Sequence, residues 1–565
     1  MITASYPFSA LVAAGTFQAT RVDYWAIAPA LILFAGALLG VLVEAFATRG
    51  SRHQVQLGVA VVAILGALAA LVLQTRHERG ITLAGAYVND GVTLFICGAL
   101  LLMGLLSVLM MAEPFDGRGP DAFTASGASS PGSAGENAAT RLGLVTSEVF
   151  PLTLMSLAGM IIMTAAGDLL TMFVALEILS LPLYILTGLA RRRRLLSQEA
   201  SLKYFLLGAF SSAFFLFGAG LLYGYAGSVS LPGIASAITT RPGTMDMLLL
   251  PGILFVLIGV LFKIGAVPFH SWVPDVYQGA PTAVTGFMAA CTKVAAFGAL
   301  LRLAYVGFQA ARWDWRPIVV VVAALTMVVG AVLTVTQSDV KRLLAYSSVS
   351  HAGFVLVGLL AFHRSGVEGV LFYLVAYGFT TLAAFGIVQM VRSGGSEATR
   401  LSQWAGLGRR YPLVAGVFSF LLMSMAGIPL TSGFVAKVAA FAPAVAHGSR
   451  SGVVLAVIGV LASAVTAYAY FKVVVRMFFD GDDRDRVATQ ERGEREGVLA
   501  RTDEGAGRDA LDERGYARDG DDVVVLTPSM MLAFAVAVGT LVTLVLGVFP
   551  GPVLELAKTC STFLL

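Results

Sequence analysis

Long apolar stretches recur along the whole chain and decide which class of fold it can adopt. A window of roughly 20 residues, the length of a helix that crosses a bilayer, finds about fourteen of them. They lie near 25–47, 54–74, 91–112, 149–166, 168–190, 200–226, 249–268, 282–305, 317–336, 343–362, 367–391, 412–441, 452–476 and 527–549. Only 13% of the residues are charged, whereas soluble domains contain about a quarter. The sequence predicts an all-α polytopic membrane protein.

One apolar stretch carries a lysine and is then interrupted. It reads FVLIGVLFKIGAVPFHSWVPDVYQGAPT, with Lys263 among large apolar residues. An ammonium group at that depth costs several kcal/mol unless a nearby group compensates it. Pro268 cannot donate to the carbonyl of Ile264, so we expect a free acceptor beside the lysine, and His270 adds a titratable ring. The pattern predicts a proton or cation site.

A carboxylate stands at similar depth in the preceding part of the chain, DLLTMFVALEILSLPLYILTG. Glu177 is the only charge between Asp168 and Arg191. Such a group is either neutral or paired with a cation, and Lys263 needs an anion. We therefore predict an ion pair between Glu177 and Lys263, whose two protons titrate as one coupled system.

Two further lysines lie inside apolar stretches. Lys293 follows in FMAACTKVAAFGALL, and Lys437 follows a Gly and Pro break in GIPLTSGFVAKVAAF. Broken helices at corresponding places predict two inverted five-helix repeats, the architecture of secondary transporters. The chain has only seven lysines against thirty-one arginines. Because buried lysine can release its proton and arginine cannot, the choice of lysine indicates proton transfer.

Four other residues are candidates for proton relay. Lys203 lies near the start of its helix, where snorkelling to water explains it equally well. Lys341, with Ser347, Ser348 and His351, belongs to SDVKRLLAYSSVSHAG. A lone histidine is commonly a packing residue, but hydroxyls and charges beside His351 favour a relay as much. His270 completes this group.

Lys and Arg in the short loops predict the orientation. If the helices alternate, most positive residues fall on one side, which the positive-inside rule assigns to the cytoplasm, with both termini outside. The cytoplasmic set is Arg49, Arg52, Arg191 to Arg194, Lys341, Arg342, Arg392, Arg400, Arg409 and Arg410. The opposite set is Arg76, Arg79, Arg241, Arg312, Arg316, Arg364 and Arg450. The first twenty residues contain no Lys or Arg, so no cleavable signal peptide is predicted.

Two polar insertions interrupt the apolar pattern, and they divide the chain into segments. We predict a three-helix segment (1–112), a flexible Gly- and Ser-rich loop (113–148), five-helix repeats (149–305 and 317–476), a charged cytoplasmic loop that is disordered in part (477–526), and a C-terminal helix with tail (527–565).

No cofactor is expected in this chain. Cys97, Cys291 and Cys560 are scattered singly, and the glycines lie within apolar helices rather than at a nucleotide-binding turn. The six histidines are too isolated for paired haem ligation. We predict no metal site, no redox group and no nucleic acid partner.

The stretches LEILSLPLYIL, FKIGAVPFHSWVPDVYQGAPT, SDVKRLLAYSSVSHAG and GIPLTSGFVAKV resemble the antiporter-like membrane subunits of bacterial respiratory complex I, the proton-pumping NADH:quinone oxidoreductase. The likeness covers about 25–550. VPDVYQGAPT, the lysine at 437 and the end soon after the last helix are most similar to subunit N. The two polar insertions depart from the usual pattern of the family.

The resemblance implies proton translocation by Glu177, Lys263, Lys293 and Lys437, with His270 and His351 as less secure matches. It implies the bacterial plasma membrane, phospholipid, and other membrane subunits as partners, including neighbouring antiporter-like subunits. NADH, FMN, iron–sulfur clusters and quinone would be used by other subunits of the complex. The energy would come from quinone reduction there.

Three alternatives stay open. A multi-subunit cation/proton antiporter shares this fold and these motifs. The buried charges could instead be static interhelical pairs, although three lysines and one glutamate do not balance. A passive membrane anchor would tolerate loss of Lys263 and Lys437 alike.

Overall fold

The fold, taken from a computed structural model, is almost entirely helical. Residues 22–75, 79–113, 122–124, 133–135, 138, 146–240, 247–393, 396–447, 450–480 and 523–564 are described. The helices are α1 Tyr24–Phe46, α2 Arg49–Gln74, α3 Gly91–Met111, α4 Val149–Ala165, α5 Leu169–Thr187, α6 Arg194–Ala226, α7 Leu231–Thr240, α8 Leu249–Ile264, α9 Trp272–Gly279, α10 Thr282–Gly307, α11 Arg312–Thr336, α12 Val340–Leu359, α13 Arg364–Met390, α14 Leu407–Arg410, α15 Pro412–Ala426, α16 Ser432–Ala446, α17 Arg450–Phe478, α18 Met530–Val548 and α19 Gly551–Cys560.

Eleven helices in the described part of the chain are long and apolar enough to cross a membrane: α1, α2, α3, α5, α6, α10, α11, α12, α13, α17 and α18. They follow the apolar stretches of the sequence, and the predicted all-α polytopic fold is confirmed. α6 begins at Arg194, before the predicted start at 200. Its first turns lie beyond the apolar region, where Glu199 and Lys203 form an i,i+4 ion pair of 2.7 Å.

Burial separates inner from outer helices. The most apolar part of α10 is wholly buried, and in α12 and α13 the buried share is 89% and 94%. The corresponding share in α1, α2, α6, α11, α17 and α18 is near 40%. The exposed residues of these outer helices are apolar, as expected of surfaces that face lipid. Groups held by α10, α12 and α13 are therefore shielded from lipid.

The first broken helix ends at a glycine rather than at its proline. α8 stops at Ile264, and Gly265 takes the left-handed conformation (φ 77°). The amides of Gly265 and Ala266 both bond to the carbonyl of Leu261, at 3.0 Å. This is the usual glycine termination of a helix. The predicted cause of the break, Pro268, is wrong, because the helix has already ended when the chain reaches it.

The second broken helix ends in the same way. α15 stops at Ala426, and Gly427 is left-handed (φ 86°), with its amide bonded to Met423 at 3.1 Å. The amide of Ile428 bonds to the same carbonyl at 3.2 Å. A Cβ at 427 would also lie 2.9 Å from the ammonium nitrogen of Lys437. Glycine is thus required both for the turn and for the approach of that lysine.

Two small antiparallel sheets lie at the ends of helices. β1 (Gly80–Thr82) pairs antiparallel with β2 (Tyr87–Asn89), while β3 (Val391–Ser393) lies between β4 (Ser396–Glu397) and β5 (Val523–Val525). Both pairings of β3 are antiparallel, with Arg392 opposite Glu397 and Val524. The β3 sheet therefore brings the chain before α18 to the end of α13.

Glu397 joins several elements at this end of the bundle. Its carboxylate contacts Arg193 at 2.9 Å and Lys341 at 3.2 Å, and the Arg392 guanidinium lies 4.0 Å away. The backbone amide of Thr282 also donates to it, at 3.3 Å. Burial alone would raise the pKa of Glu397, but Lys341, Arg193 and Arg392 together hold that pKa well below its usual range. We name these residues the Glu397 cluster.

A second buried ion pair lies at the other end of the bundle. It joins the start of α3 to the last turns of α4 and the C-terminal part of α10. The Arg302 guanidinium donates to Asp90 at 3.0 Å, to Thr93 at 2.8 Å and to the carbonyl of Thr164 at 3.0 Å. Both charged side chains are 1% exposed. Asp90 also caps the start of α3 by accepting from the amide of Thr93, at 2.9 Å. One arginine thus connects three helices.

Several sequence predictions fall outside the described residues. They are residues 1–21, most of the 113–148 loop, residues 481–522, and Arg76 and Arg241. Within the loop, Phe123 is buried and the amide of Thr124 bonds to Leu189 at 2.8 Å. Glu113 accepts from the amide of Ser529 at 2.9 Å. These described parts of the loop pack against the helices.

Replacing Arg302 with Leu is expected to destabilise the fold by about 3–5 kcal/mol, because Asp90 would remain buried without its cation. The double variant D90N/R302L should recover part of the loss, since Asn still caps α3 and no charge is stranded. The measurement is heat-induced unfolding of the detergent-solubilised protein.

The matched control is R52L, because the Arg52–Glu44 pair is 26% and 23% exposed. An ion pair that open to solvent contributes less than about 1 kcal/mol. Equal losses in R302L and R52L would contradict the structural role given to Arg302.

Candidate functional site

Lys263 lies in the last turn of α8 and is held by aromatic groups. The side chain is buried, and its ammonium donates to the Tyr204 hydroxyl at 3.3 Å. It also stands over the rings of Tyr204 and Tyr184, 4.9 and 5.3 Å from their centres. Ring faces and one hydroxyl stabilise an ammonium less firmly than a carboxylate would.

The predicted contact ion pair between Glu177 and Lys263 is absent. In the described chain no carboxylate lies within 4.0 Å of the Lys263 ammonium. Tyr184, whose ring centre lies 5.3 Å from the Lys263 ammonium, is on the same helix as Glu177, seven positions after it. The predicted direct pair is therefore wrong, because the Lys263 ammonium is held by the Tyr204 hydroxyl and by the rings of Tyr204 and Tyr184 instead.

Glu177 lies on an outward stripe of α5. Leu170, Val174, Leu181 and Ile185 on this stripe are 48–54% exposed, and Glu177 is half-buried among them. Its Oε1 atom has no hydrogen-bond partner in the described chain. A carboxylate facing lipid would be costly. The stripe is therefore suited to contact with another protein.

Aromatic residues lead from Lys263 towards the centre of the bundle. Tyr204 stacks on Trp272, with ring centres 4.6 Å apart, and the Trp272 indole donates to the carbonyl of Phe262 at 2.9 Å. Trp272 in turn contacts the Tyr277 ring at 6.4 Å. The hydroxyls of Ser348 and Tyr377 are buried further along, and neither has a hydrogen-bond partner in the described chain. Polar atoms thus recur along an otherwise apolar path.

Lys293 lies at the middle of this path, in the wholly buried α10. A π-helical turn, Met288–Thr292, comes directly before it. Such turns are frequent at functional sites because they shift the side chains that follow. The ammonium of Lys293 donates to the carbonyl of Ser348 and lies 5.8 Å from the centre of the Tyr377 ring.

His351 lies between the aromatic neighbours of the two inner lysines. Its ring centre is 5.0 Å from that of Tyr377, which faces Lys293, and 5.4 Å from that of Phe354, which faces Lys437. Its Nδ1 shares a 2.7 Å hydrogen bond with the Tyr373 hydroxyl. Its Nε2 has no protein partner in the described chain. Beside it, a cavity lined by Tyr377, Thr380 and Ser424, among others, is about the size of one water molecule. A water there would connect the ring to its polar surroundings.

Lys437 lies in α16 and reaches back to the broken end of α15. Its ammonium donates to the carbonyls of Met425 at 2.9 Å and Ala426 at 2.7 Å, and to Ser463 at 2.6 Å. The end of a helix carries unpaired carbonyls and partial negative charge, so it stabilises a cation. The helix break therefore provides the compensation that a carboxylate would otherwise supply.

Lys203 and His270 lie apart from this path. Lys203 is 43% exposed and contacts Asp275 at 2.8 Å, and Arg342 contacts the same carboxylate at 2.7 Å. This network borders Tyr204, which follows Lys203 in α6. His270 is half-buried in the link between α8 and α9, with its ring centre 6.4 Å from that of Tyr346.

Lys341 belongs to the Glu397 cluster and not to the lysine path. It is fully buried, and besides Glu397 it donates to the carbonyl of Ala280 at 2.7 Å and the Thr282 hydroxyl at 3.2 Å. These contacts fix the junction of α9 and α10. A buried lysine with a carboxylate and two further acceptors is typical of a structural contact.

Sequence reasoning missed the tyrosines and two acids. Tyr184 and Tyr277 lie inside the quoted motifs. A polar side chain within an apolar stretch could have identified them. Glu397 is the only acid between Glu368 and Asp480. That isolation could have identified it as a residue with a specific role. No spacing rule relates Asp90 to Arg302, because 212 positions separate them. In the described part of the chain, no three His, Cys, Asp or Glu residues form a metal-binding group.

Comparison with known proteins identifies the family of the chain. Residues 166–466 match the family model of transmembrane proteins of NADH:quinone oxidoreductase and the Mrp antiporter. Subunit N of NADH-quinone oxidoreductase from Rhodococcus opacus is 49% identical, covering 98% of both chains. The protein of the same name from a Parafrankia species is 50% identical over 96% of this chain and 95% of its own.

Solved structures show the same fold. A chain of respiratory complex I from Thermus thermophilus superposes with a TM-score of 0.69, is 31% identical, and covers 94% of this chain and 99% of itself. A chain of the Mrp complex from a Dietzia species gives a TM-score of 0.72 at 23% identity, covering 95% and 97%. The second likeness concerns the fold alone. The chain belongs to the family of antiporter-like membrane subunits represented by subunit N of NADH-quinone oxidoreductase.

Proposed function

We propose that this chain is the proton-translocating membrane subunit N of a respiratory NADH:quinone oxidoreductase. The observation that carries the proposal is the series Lys263, Lys293 and Lys437, buried in one bundle and linked by tyrosines and His351. None of the three ammonium groups contacts a carboxylate in the described chain. Static ion pairs therefore do not explain why these lysines are buried. A passive anchor does not explain them either.

Glu177 is the proposed switch. Two unit charges about 4–8 Å apart in an effective dielectric of about 20 interact by about 2–4 kcal/mol, which is the scale on which a carboxylate stabilises a charged lysine. Moving one charge against 100 mV costs about 2.3 kcal/mol. Drawing the Glu177 charge away from Lys263 thus has the right magnitude to release one proton. The outward stripe of α5 would let a neighbouring subunit exert that pull.

The released proton passes along the described polar atoms. Lys263 gives its proton towards Tyr204, and water with the Tyr277, Ser348 and Tyr377 hydroxyls passes it to Lys293. His351 accepts it next and hands it to Lys437. The helix-end carbonyls then hold the charge until it leaves the bundle. Lys293 and Lys437 are each neutral before they receive the proton and neutral again once they have passed it on. Lys263 returns to its starting state when it takes up a new proton.

The partners and surroundings follow from the same proposal. The chain is a multi-pass protein of the bacterial plasma membrane, surrounded by phospholipid, with both termini outside. Other membrane subunits of the complex, including neighbouring antiporter-like subunits, are its partners, and it binds no nucleic acid. NADH, FMN, iron–sulfur clusters and quinone belong to other subunits. The two inverted repeats, 149–305 and 317–476, are supported by the matching glycine terminations of α8 and α15.

Affinity purification of the tagged chain tests this assignment. We expect it to travel with the other subunits of an NADH:quinone oxidoreductase, in a complex that pumps protons when NADH is supplied. A cation/proton antiporter is the rival. Purification with antiporter subunits, together with sodium-dependent transport and no quinone chemistry, would replace the assignment.

K263A should abolish the protons pumped through this subunit, because no group remains to hold the charge beside Tyr204. K263R should fail as well, since arginine does not release its proton. Both are measured as protons pumped per NADH oxidised in reconstituted vesicles. K472A is the matched control, because Lys472 is a half-exposed lysine on α17. Unimpaired pumping in K263A or in E177Q would contradict the mechanism.

Y204F should slow pumping by about 10- to 150-fold. The ring and its contact with the ammonium remain, but the hydroxyl that accepts from Lys263 is lost, and a hydrogen bond to a charged group is worth about 1.5–3 kcal/mol. Y225F is the control, because Tyr225 is also buried on α6. If Y204F and Y225F pump at the same rate, the hydroxyl takes no part in transfer.

A further inference from the structure

Three acceptors surround the ammonium group of Lys437, and one of them is a side chain. The carbonyls of Met425 and Ala426 belong to the backbone of α15. The third acceptor is the Ser463 hydroxyl on α17, 2.6 Å from the ammonium nitrogen. Within the described chain, Ser463 is therefore the hydrogen-bond partner of Lys437 whose chemistry depends on the side chain that the sequence supplies.

Close packing of α16 against α17 brings this serine to the lysine. A Cβ atom at Gly459 would lie 2.7 Å from the Phe441 ring, so the absence of a side chain there lets the two helices approach each other. Ser463 follows Gly459 by one turn of α17, and Lys437 precedes Phe441 by one turn of α16. The antiparallel helices thus hold Ser463 beside Lys437 through packing that involves neither side chain.

A hydroxyl differs from a carbonyl because it can donate as well as accept. In this structure Ser463 accepts from the Lys437 ammonium and gives its own hydrogen to the carbonyl of Ala426, at 3.1 Å. A neutral Lys437 would carry a lone pair on its nitrogen, and that lone pair needs a donor. The carbonyls of Met425 and Ala426 cannot supply one. The hydroxyl of Ser463 can, by turning its hydrogen from Ala426 to the amine.

We propose that Ser463 is a positioning residue of the proton path, which keeps Lys437 hydrogen-bonded in both of its charge states. It accepts a hydrogen bond from the ammonium and donates one to the amine, so it gains and loses no proton itself. Lys437 can then receive a proton and release it again without leaving its place at the end of α15. The inference rests on the proposed function, because it concerns the last lysine of the proposed path.

The rate of NADH-driven proton pumping by the reconstituted complex tests this role. S463A should slow pumping by about 5- to 12-fold, because the charged lysine loses an acceptor and hydrogen bonds to charged groups are stronger than those to neutral groups by about this factor. S463T should pump at the rate of the unmodified complex. It keeps the hydroxyl, and Ser463 is only half-buried, so the added methyl group has room.

S463D separates this role from that of a structural contact. The carboxylate that it introduces would hold the charged Lys437 more tightly, but an ionised carboxylate cannot donate to the neutral amine. We expect pumping to fall at least as far as in S463A, whereas a merely structural contact would be preserved. S419A is the matched control, because Ser419 is a half-buried serine on α15 whose hydroxyl donates to the carbonyl of Ala415 at 2.7 Å. Its pumping should be unchanged.

K437A distinguishes a failure of this inference from a failure of the proposed function. Normal pumping in K437A would remove Lys437 from the path, and the proposed function would fail together with the role of Ser463. If K437A is impaired, normal pumping in S463A or S463D, or equal losses in S463T and S463A, would overturn the role of Ser463 alone. S463A and S463T change only one or two atoms of the side chain, so they decide the question even if S463D fails to assemble.

Discussion

The structure depends on how an ammonium group is kept inside a membrane protein without a carboxylate beside it. Lys263, Lys293 and Lys437 are each stabilised by a different set of neighbours. Lys263 rests on two tyrosine rings and a hydroxyl, Lys293 donates to the carbonyl of Ser348, and Lys437 occupies the open end of α15. None of these neighbours is a full negative charge. Each environment can therefore hold the lysine charged at one moment and neutral at another.

The static ion pairs of the chain lie elsewhere and have a different character. Asp90 with Arg302, and Glu397 with Arg193 and Lys341, combine full charges at 2.9 to 3.2 Å and add hydrogen bonds to backbone or hydroxyl groups. They lie at opposite ends of the wholly buried α10, which starts at Thr282 in the Glu397 cluster and carries Arg302 near its other end. Fixed pairs anchor both ends of the helix, while Lys293 between them has only a carbonyl. Fixed ion pairs at both ends, with a lysine that has no charged partner between them, suit a helix that conducts protons.

Much of this organisation was predictable from the sequence. The apolar stretches revealed the helices, because hydrophobic length relates directly to the bilayer. The rarity of lysine marked Lys263, Lys293 and Lys437. The pairing of Glu177 with Lys263 was wrong, since no sequence pattern shows that the Lys263 ammonium is held by the Tyr204 hydroxyl and the Tyr184 ring instead. The cause of the first break was also mistaken, because proline is the stronger signal in a sequence even where glycine acts first. The contact of Lys437 with the end of α15 could not be predicted, because it depends on how α16 packs against α15 after the break.

A continuous wet route between the three lysines is the central claim, and a cryo-electron microscopy map of the assembled complex that resolves ordered water tests it most directly. The account predicts water beside His351, in the cavity bounded by Tyr377 and Ser424, and further waters joining Lys293 to Lys263 and His351 to Lys437. A dry apolar gap on either side of His351, with no hydroxyl bridging it, would contradict the account.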